Sequence, residues 1–264
     1  MRGPSIRALG LLTPPAPDAA EAGSGPGVRV RGLGPRQRAG DRYRRARREG
    51  LLAIEAVEGA LAEAGLPRDG LAGPATGLVY VTAGAYAASN VAFLRGAGGG
   101  IHFPYTAPAA VPAEVAIEFR LAGPYGIMIG GPPAALEGIH QAAAWLEEGA
   151  ADRVLVLGVE VFEECVDLLG RSRRLVGPAL VETAACLVLE PGRGRLTLEW
   201  PASPPPRHAP RHWACEPLVA LAGLRAGPGT DVVLHGAWRG RHARLVWTGA
   251  LGRPEANRTS GAIA

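Results

Sequence analysis

The sequence predicts a layered α/β domain, and three kinds of pattern lead to this fold class. Uninterrupted apolar runs at residues 77–82, 154–159 and 184–189 have the composition of strands that are buried on both faces of a sheet. Residues 41–65 carry leucine, isoleucine and valine at helical spacing and end at a glycine, which is typical of a helix with its stop signal. Helical and strand segments also alternate along the chain, which indicates a sheet covered by helices.

The predicted elements of the first 190 residues follow in the order β-α-β-α-α-β-α-β-β. The first strand is predicted at residues 5–12, and a loop rich in proline, alanine and glycine follows it up to residue 27. Between the buried strands, further elements are predicted as a helix at 112–121, a short strand at 127–129 and a helix at 133–148 with proline at its start.

The composition changes after residue 190, so we divide the chain into an α/β domain at 1–190 and a second, smaller part at 191–264. The second part begins with a predicted strand at 195–200 and a proline-rich connector at 201–210. We expect a helix at 213–225, a pair of strands at 231–238 and 243–247, and a frayed polar tail from residue 252.

The composition excludes several classes of function. The chain has 264 residues, 47% of them hydrophobic and 20% charged, which is typical of a globular protein. All 28 basic residues are arginine, so no Schiff base and no phosphate-binding lysine is available. The three cysteines are widely spaced, and no apolar run approaches the ~20 residues of a membrane span, so we expect a cytoplasmic protein.

The segment at 121–140 is the most informative one, because a strand feeds a helix there through a sharp turn. Many enzymes mount a nucleophile at such a turn, since the helix N-terminus stabilises negative charge and lowers the pKa of a thiol. Here the turn consists of Gly130, Gly131, Pro132 and Pro133. None of these side chains can act as a nucleophile.

Four sequence blocks surround this turn in a characteristic order. They are Phe-Pro-Tyr at 103–105 with Val-Pro-Ala-Glu-Val-Ala-Ile at 111–117, Gly-Pro at 123–124 with the turn, Gly-Ala-Ala-Asp-Arg-Val-Leu-Val-Leu-Gly-Val-Glu at 149–160, and Glu-Thr-Ala-Ala-Cys-Leu-Val-Leu-Glu at 182–190. Together they resemble the N-terminal half of a β-ketoacyl synthase of the thiolase superfamily. In this comparison the nucleophilic cysteine of the family falls on Pro132.

The resemblance implies a thiolase-like layered α/β/α fold with one complete repeat and a much reduced second repeat. In the family the second repeat supplies two histidines and a lysine. Most of that repeat is missing here. A member without the cysteine is known as a chain-length factor. The resemblance therefore implies a non-catalytic subunit of a heterodimeric type II synthase, in polyketide, polyene or fatty-acid-like biosynthesis. Its partners would be a full-length β-ketoacyl synthase and an acyl carrier protein, and no cofactor is expected.

The resemblance also assigns roles to particular residues. The tunnel-lining residues would be Thr82, Tyr86, His102 and Phe103. The partner interface would be formed by Ile127, Met128 and Ile129, and the carrier-protein contact by Arg44, Arg45 and Arg48. Two alternatives stay open: Tyr86 and Phe103 could be ordinary core aromatics, and the arginine-rich run at 36–48 could be a solvated helix face without a partner.

A different class of function is suggested by His208, His212 and Cys215. Their spacing is similar to that of metal ligands, and His235 or His242 could complete a zinc site in a hydrolase. Against this hypothesis, Pro210 interrupts the helix that would place the two histidines on one face. Cys186 lies in a predicted buried strand, and the acidic neighbours of Cys165 would raise its pKa, so neither cysteine is predicted to be a nucleophile.

Overall fold

A computed structural model describes residues 3–15, 28–44, 46–96, 100–171, 177, 179–202, 209–225 and 231–249 of the chain. Five strands form the main sheet: β1 (Gly3–Leu12), β3 (Thr76–Thr82), β4 (Tyr125–Ile129), β5 (Arg153–Glu160) and β7 (Thr183–Gly192). Their order across the sheet is β1-β7-β5-β3-β4. The strands β5, β3 and β4 are parallel to one another, and β7 is antiparallel to both of its neighbours, β1 and β5. A separate two-stranded ribbon joins β2 (Arg29–Arg31) to β6 (Ala179–Val181).

Helices cover both faces of the main sheet. The first face packs against α1 (Arg48–Ala64) and α3 (Ala110–Phe119), with α2 (Tyr86–Leu94) beside them. The second face packs against α4 (Pro132–Glu147) and α6 (Glu216–Arg225). A short helix, α5 (Val166–Arg171), follows β5. The layered α/β/α prediction is confirmed, because each face of the sheet holds its own apolar core.

A second sheet lies on the far side of α4 and α6. It contains β8 (Arg195–Glu199), β9 (Val232–Trp238) and β10 (Arg241–Thr248) in the order β8-β10-β9, all antiparallel. Its inner side chains, among them Leu234, Leu245 and Trp247, are buried in the same core as α4. The helix α4 is therefore enclosed between two sheets.

The two sheets share a pattern that reveals the reduced second repeat. In the first sheet, the opening strand β1 pairs with the last strand β7, which pairs with the preceding strand β5. In the second sheet, the opening strand β8 pairs with the last strand β10, which pairs with the preceding strand β9. A helix, α4 or α6, precedes the final two strands in each case. Within the described residues, the second repeat thus contains three strands and one helix of the arrangement that the first repeat shows.

The elements differ from the predicted bounds where local contacts override the sequence pattern. The helix predicted from residue 41 consists of a 3₁₀ turn at Asp41–Arg44 and then α1, because the backbone at Arg47 is extended. Its predicted end is confirmed, with Gly65 in the left-handed region at φ 66°. The helix predicted from residue 213 begins as a 3₁₀ turn at Trp213–Cys215. The predicted order contains one helix without stated bounds, and in the structure this helix is α2. The short strands β2 and β6 were not predicted.

Candidate functional site

The turn between β4 and α4 has the geometry of a nucleophile mount without a nucleophile. Pro132 is the first residue of α4, and Gly131 precedes it as the N-cap residue without a side-chain cap. The amide of Gly130 donates to the carbonyl of Thr82 over 2.9 Å, which fixes the turn at the carboxyl end of the sheet. Both Gly131 and Pro132 are buried. The sequence prediction for this turn is therefore correct in its backbone, and the proline ring of Pro132 stands at the first position of the helix.

The closing strand pair of the second sheet covers this turn. The indole of Trp238 lies directly on Gly131, where an added Cβ would come within 2.2 Å of Trp238 Cδ2. Further along β9, a Cβ on Gly236 would come within 2.7 Å of the backbone carbon of Pro132. Because glycine is required on both sides of this contact, β9 and the turn approach each other without room for a ligand between them.

Trp238 continues into an aromatic cluster. Its ring lies 5.4 Å from the ring of Trp213, which lies 4.8 Å from the ring of Phe162, and both pairs are edge-to-face. Trp213 is buried and has a backbone φ of 43°, an uncommon value for a bulky residue. The cluster thus forms an aromatic cover over the α4 N-terminus. The sequence analysis missed this role, although Trp213 and Trp238 both stand in segments that it singled out.

A buried carboxyl group joins the elements of this cover. Glu160, at the end of β5, is fully buried and accepts hydrogen bonds from the amides of Ala83 (2.5 Å), Gly84 (3.1 Å) and Ala214 (3.2 Å). Burial raises the pKa of Glu160 to about 8, although the three amides favour the charged form. The side chain therefore ties the end of β3 to the segment that carries Trp213.

His212 and Cys215, two residues of the zinc hypothesis, both contact Thr183. His212 Nδ1 lies 2.7 Å from Thr183 Oγ1, and the thiol of Cys215 donates to the Thr183 carbonyl over 3.8 Å. Burial lowers the pKa of His212 and raises the pKa of Cys215. His208 lies outside the described residues, and within the described ranges no group of three or more His, Cys, Asp or Glu side chains could hold a metal ion. The zinc-assisted hydrolase thus stays a hypothesis without a structural observation in its favour.

The other two cysteines are poor nucleophiles. Burial, followed by the charge of Glu164, raises the pKa of Cys165 to about 11. Burial alone raises the pKa of Cys186, which is fully enclosed in β7. A thiol must ionise to attack, so neither residue is suited to covalent catalysis.

The predicted tunnel residues fall into two groups. Thr82 is fully buried, and its hydroxyl accepts the amides of Gly84 and Ala85 at 3.2 and 2.9 Å, so it acts as an internal cap. Tyr86 is half-buried at the start of α2.

Phe103 is 62% exposed and contacts Phe93 edge-to-face. The alternative that Phe103 is a core aromatic is therefore wrong. A cavity of about 470 Å³ lies beside this residue, lined by His102, Pro104, Tyr105 and the start of α3. Of the four predicted residues, His102 lines this cavity, and Phe103 is its neighbour in the sequence.

The predicted interface strand is an edge strand. Within the described residues, β4 pairs only with β3, and its outer edge is open. Tyr125 and Ile129 at its two ends are 47% and 56% exposed, and Ile127 and Met128 between them are half-buried. An open edge with apolar side chains is a surface on which another chain can pair.

The arginine-rich run is mostly neutralised within the chain. Arg38 pairs with Glu58 (2.5 Å) and Arg42 with Glu118 (2.6 Å), while the hydroxyl of Tyr43 donates to Glu118 over 2.8 Å. These carboxylates belong to α1 and α3, so the run is a strap across both helices. The run is not a regular helix, but Arg36, Arg42 and Arg44 are exposed, so the alternative of a solvated face without a partner stays a prediction.

The structure corrects the carrier-protein assignment of Arg48. Its guanidinium donates to both carboxylate oxygens of Glu182, at 2.5 and 2.7 Å, and to both oxygens of Glu164, at 2.7 and 2.6 Å. Burial favours the neutral acid, yet Arg48 and the amides of Phe162, Glu163 and Leu33 hold the pKa of Glu182 below its ordinary value. Arg48 is an internal ion-pair partner. Arg44 is exposed and pairs with Asp41 at 3.2 Å, and Arg45 lies outside the described residues.

One protein-family model matches more than half of the chain. The sequence model of the family described as "Beta-ketoacyl synthase, N-terminal domain" matches residues 37–179. This match includes the turn at Pro132, the edge strand β4 and the arginine-rich strap. A comparison with curated proteins finds no significant match.

Comparison with solved structures shows the same fold at low sequence identity. The ishigamide ketosynthase/chain length factor is 15% identical, with a TM-score of 0.72 over 95% of this chain and 100% of that chain. A type II PKS acyl-carrier protein in complex with its ketosynthase gives the same identity and TM-score, over 94% of this chain and 100% of that chain. A β-ketoacyl synthase from Burkholderia phymatum STM815 is 13% identical, with a TM-score of 0.69 over 94% of this chain and 100% of that chain.

Proposed function

The chain belongs to the family of the β-ketoacyl synthase N-terminal domain, and from this premise we propose that it is a non-catalytic, chain-length-factor-like subunit of a type II synthase. In this proposal a full-length β-ketoacyl synthase is the partner in a heterodimer and performs the condensation. The present chain completes and shapes the partner's acyl tunnel, in polyketide, polyene or fatty-acid-like biosynthesis. We place the complex in the cytoplasm, in keeping with the three buried, free cysteines.

The closed turn at Pro132 is the observation that carries the proposal. Condensation through a covalent acyl-enzyme needs a nucleophile and space for the thioester around it. Here Pro132 has no reactive atom, and Trp238 lies on the adjacent Gly131. The chain also has no lysine, so the lysine of the family's second repeat has no counterpart. Loss of the nucleophile and loss of the space beside it occur together, as expected for a subunit that no longer binds a thioester.

The edge strand β4 and the surface around the cavity support the pairing with a second chain. A strand of another chain, parallel or antiparallel to β4, would satisfy the unpaired backbone groups of β4 and cover Tyr125 and Ile129. Half-buried His102 lines one side of the cavity and exposed Phe103 follows it in the sequence, and their bulk would limit the length of an acyl chain that ends there. The cavity volume of about 470 Å³ is in the range of small-molecule sites. An acyl carrier protein delivers the acyl chain, and among the described residues Arg44 is the proposed contact with it.

Intact-mass measurement tests the catalytic part of the proposal. The purified chain is incubated with an acyl-loaded carrier protein, and we expect no mass increase. The variant Pro132→Cys also stays unmodified, because Trp238 still covers the turn. A control reaction with a β-ketoacyl synthase that retains its cysteine verifies that the carrier is loaded. A stable acyl adduct on the wild-type chain would contradict the proposal.

A further inference from the structure

The segment that carries His102 and Phe103 has little support of its own. Residues Gly100–Thr106 form a 3₁₀ helix with Pro104 inside it. A 3₁₀ helix of this length is uncommon because its hydrogen bonds are poorly aligned, and a proline removes one backbone donor. Phe103 is exposed, so burial of its ring contributes little to holding the segment. The position of the segment therefore depends on its contacts with neighbouring elements.

The helix α2 supplies such contacts from one of its faces. Asn90 and Phe93 are three residues apart in α2, so they lie on the same side of the helix. The side-chain amide nitrogen Nδ2 of Asn90 donates to the carbonyl of Thr106 over 3.2 Å. The ring of Phe93 lies 5.7 Å from the ring of Phe103, edge-to-face. One polar and one apolar contact thus join α2 to the second half of the segment.

The amide group of Asn90 bridges the helix and the segment. Besides the carbonyl of Thr106, its Nδ2 donates to the carbonyl of Tyr86 over 3.0 Å, one turn earlier in α2. Asparagine is a poor residue for the interior of a helix, and a bond to the carbonyl four residues back does not stabilise the helix. The presence of asparagine at this position is therefore better explained by the bridge to Thr106 than by the helix itself.

Further hydrogen bonds continue this bridge on both sides. The hydroxyl of Thr106 donates to the carbonyl of Phe103 over 2.7 Å, which couples the bridged residue to the residue with the exposed ring. On the helix, the hydroxyl of Ser89 donates to the carboxyl group of Glu49 in α1, and both side chains are buried. Because α2 is fixed to the core in this way, Asn90 connects the core to the segment.

We propose that Asn90 is a positioning residue that helps to set the length of the acyl chain, because it holds His102 and Phe103 in place at the cavity. This inference rests on the proposed function, in which the cavity receives the end of that chain. His102 lines the cavity, and Phe103 follows it in the sequence. Asn90 acts through these two residues and not by touching the acyl chain. A site is precise only when the residues behind it hold its side chains in position.

Hydrogen exchange on the isolated chain and product analysis of the reconstituted complex test the proposal, both by mass spectrometry. Asn90→Asp keeps the shape of the side chain, but its carboxylate has no donor and faces two carbonyl oxygens. We expect the amides of residues 100–107 to exchange roughly tenfold faster or more, and the product to lengthen as it does for Phe103→Ala. Asn90→Ala removes the bridge without adding charge and should give both changes to a smaller extent. Leu224→Asp, at an exposed position on α6, is the charge-matched control and should give neither.

The outcomes separate this proposal from the proposed function. Wild-type exchange at residues 100–107 in both Asn90 variants would overturn the proposal, and so would exchange that rises equally in β3 and α4, which indicates a general loss of stability. If Phe103→Ala lengthens the product and the Asn90 variants do not, the proposal is wrong and the proposed function stands. If none of these variants changes the product, the proposed function fails and this proposal fails with it. Circular dichroism verifies folding, and Asn90→Ala decides the matter if Asn90→Asp does not fold.

Discussion

Arg48 illustrates at the scale of single residues how a sequence pattern conceals a structural role. Its neighbours Arg44, Arg45 and Arg47 make it part of a basic run, which indicates an exposed surface. The structure instead holds it between Glu182 and Glu164, which lie more than a hundred residues away in the sequence. Such long-range pairing cannot be inferred from one sequence, because nothing local distinguishes the arginine that turns inward.

Removing the Arg48 side chain tests this role. Glu182 is fully buried, so the variant Arg48→Ala leaves its carboxylate without a charge partner. We expect the free energy of unfolding to fall by ~3–5 kcal/mol, as is typical for a broken buried pair. Arg44→Ala is the matched control on the same run, and because Arg44 is exposed, its effect should stay within about 0.5 kcal/mol. Urea denaturation measures both, and equal small losses would show that Arg48 is not an internal ion-pair partner.

Glu160 leads to a prediction about pH. Its pKa is raised from 4.5 to about 8 in the folded chain, so the folded state binds more protons than the unfolded state between these values. Glu160 therefore makes the free energy of unfolding fall as pH rises from about 5 to about 8, after which its contribution is constant. Glu160→Gln removes this dependence while adding a pH-independent cost for the changed hydrogen bonds.

Urea denaturation of wild type and Glu160→Gln at four pH values between 5 and 8 isolates this effect. The free energy of unfolding of wild type minus that of Glu160→Gln must fall as pH rises, because only wild type is destabilised by ionisation of residue 160. The other shifted groups, such as Glu49 and His212, are shared by both proteins and cancel in the difference. A difference that stays constant with pH would refute the raised pKa.

At the scale of elements, the sequence predicted those that local chemistry determines. The buried strands β3, β5 and β7 are continuous apolar runs, and α4 begins at a proline, so both types were predicted close to their observed bounds. The strands β9 and β10 were predicted as a pair, and the structure joins them through Arg239 and Gly240, both with positive φ, as a two-residue hairpin requires. The strands β2 and β6 were missed because three residues carry too little periodicity.

The edge strand β4 provides the test at this scale. Lysine on an edge strand prevents pairing with another chain, so Ile129→Lys should weaken the heterodimer at least tenfold. Ile129 is 56% exposed, and its replacement should leave the unfolding midpoint unchanged. The control is Leu224→Lys, a similarly exposed apolar residue on α6.

Size-exclusion chromatography with light scattering, on chain mixed with its ketosynthase, measures the effect of both variants. We expect a 1:1 complex for wild type and Leu224→Lys and separate subunits for Ile129→Lys. If Ile129→Lys still forms the complex at wild-type affinity, β4 is not the pairing edge.

At the scale of the whole molecule, the described part of the chain has a full first sheet with helices on both faces and a second repeat with one sheet and one helix. The sequence analysis predicted this reduction from the missing material after residue 190. It did not predict that the remaining strands would close over the α4 N-terminus through Trp238, since this contact joins segments about a hundred residues apart. Among the described residues no helix is long and apolar enough to cross a membrane. In the proposed function, the closed turn and the open edge β4 are the features that make the chain depend on a partner.

Product chain length of the reconstituted complex tests this claim most directly. The chain is combined with its ketosynthase, an acyl carrier protein and malonyl units, and the products are identified by mass spectrometry. Phe103→Ala should lengthen the product, because Phe103 is exposed beside the cavity that the partner's tunnel would share. Leu224→Ala, which truncates an exposed apolar side chain on α6, should leave the product unchanged. If Phe103→Ala gives products of wild-type length at wild-type stability, or if the ketosynthase alone makes the same products, the chain does not shape the tunnel.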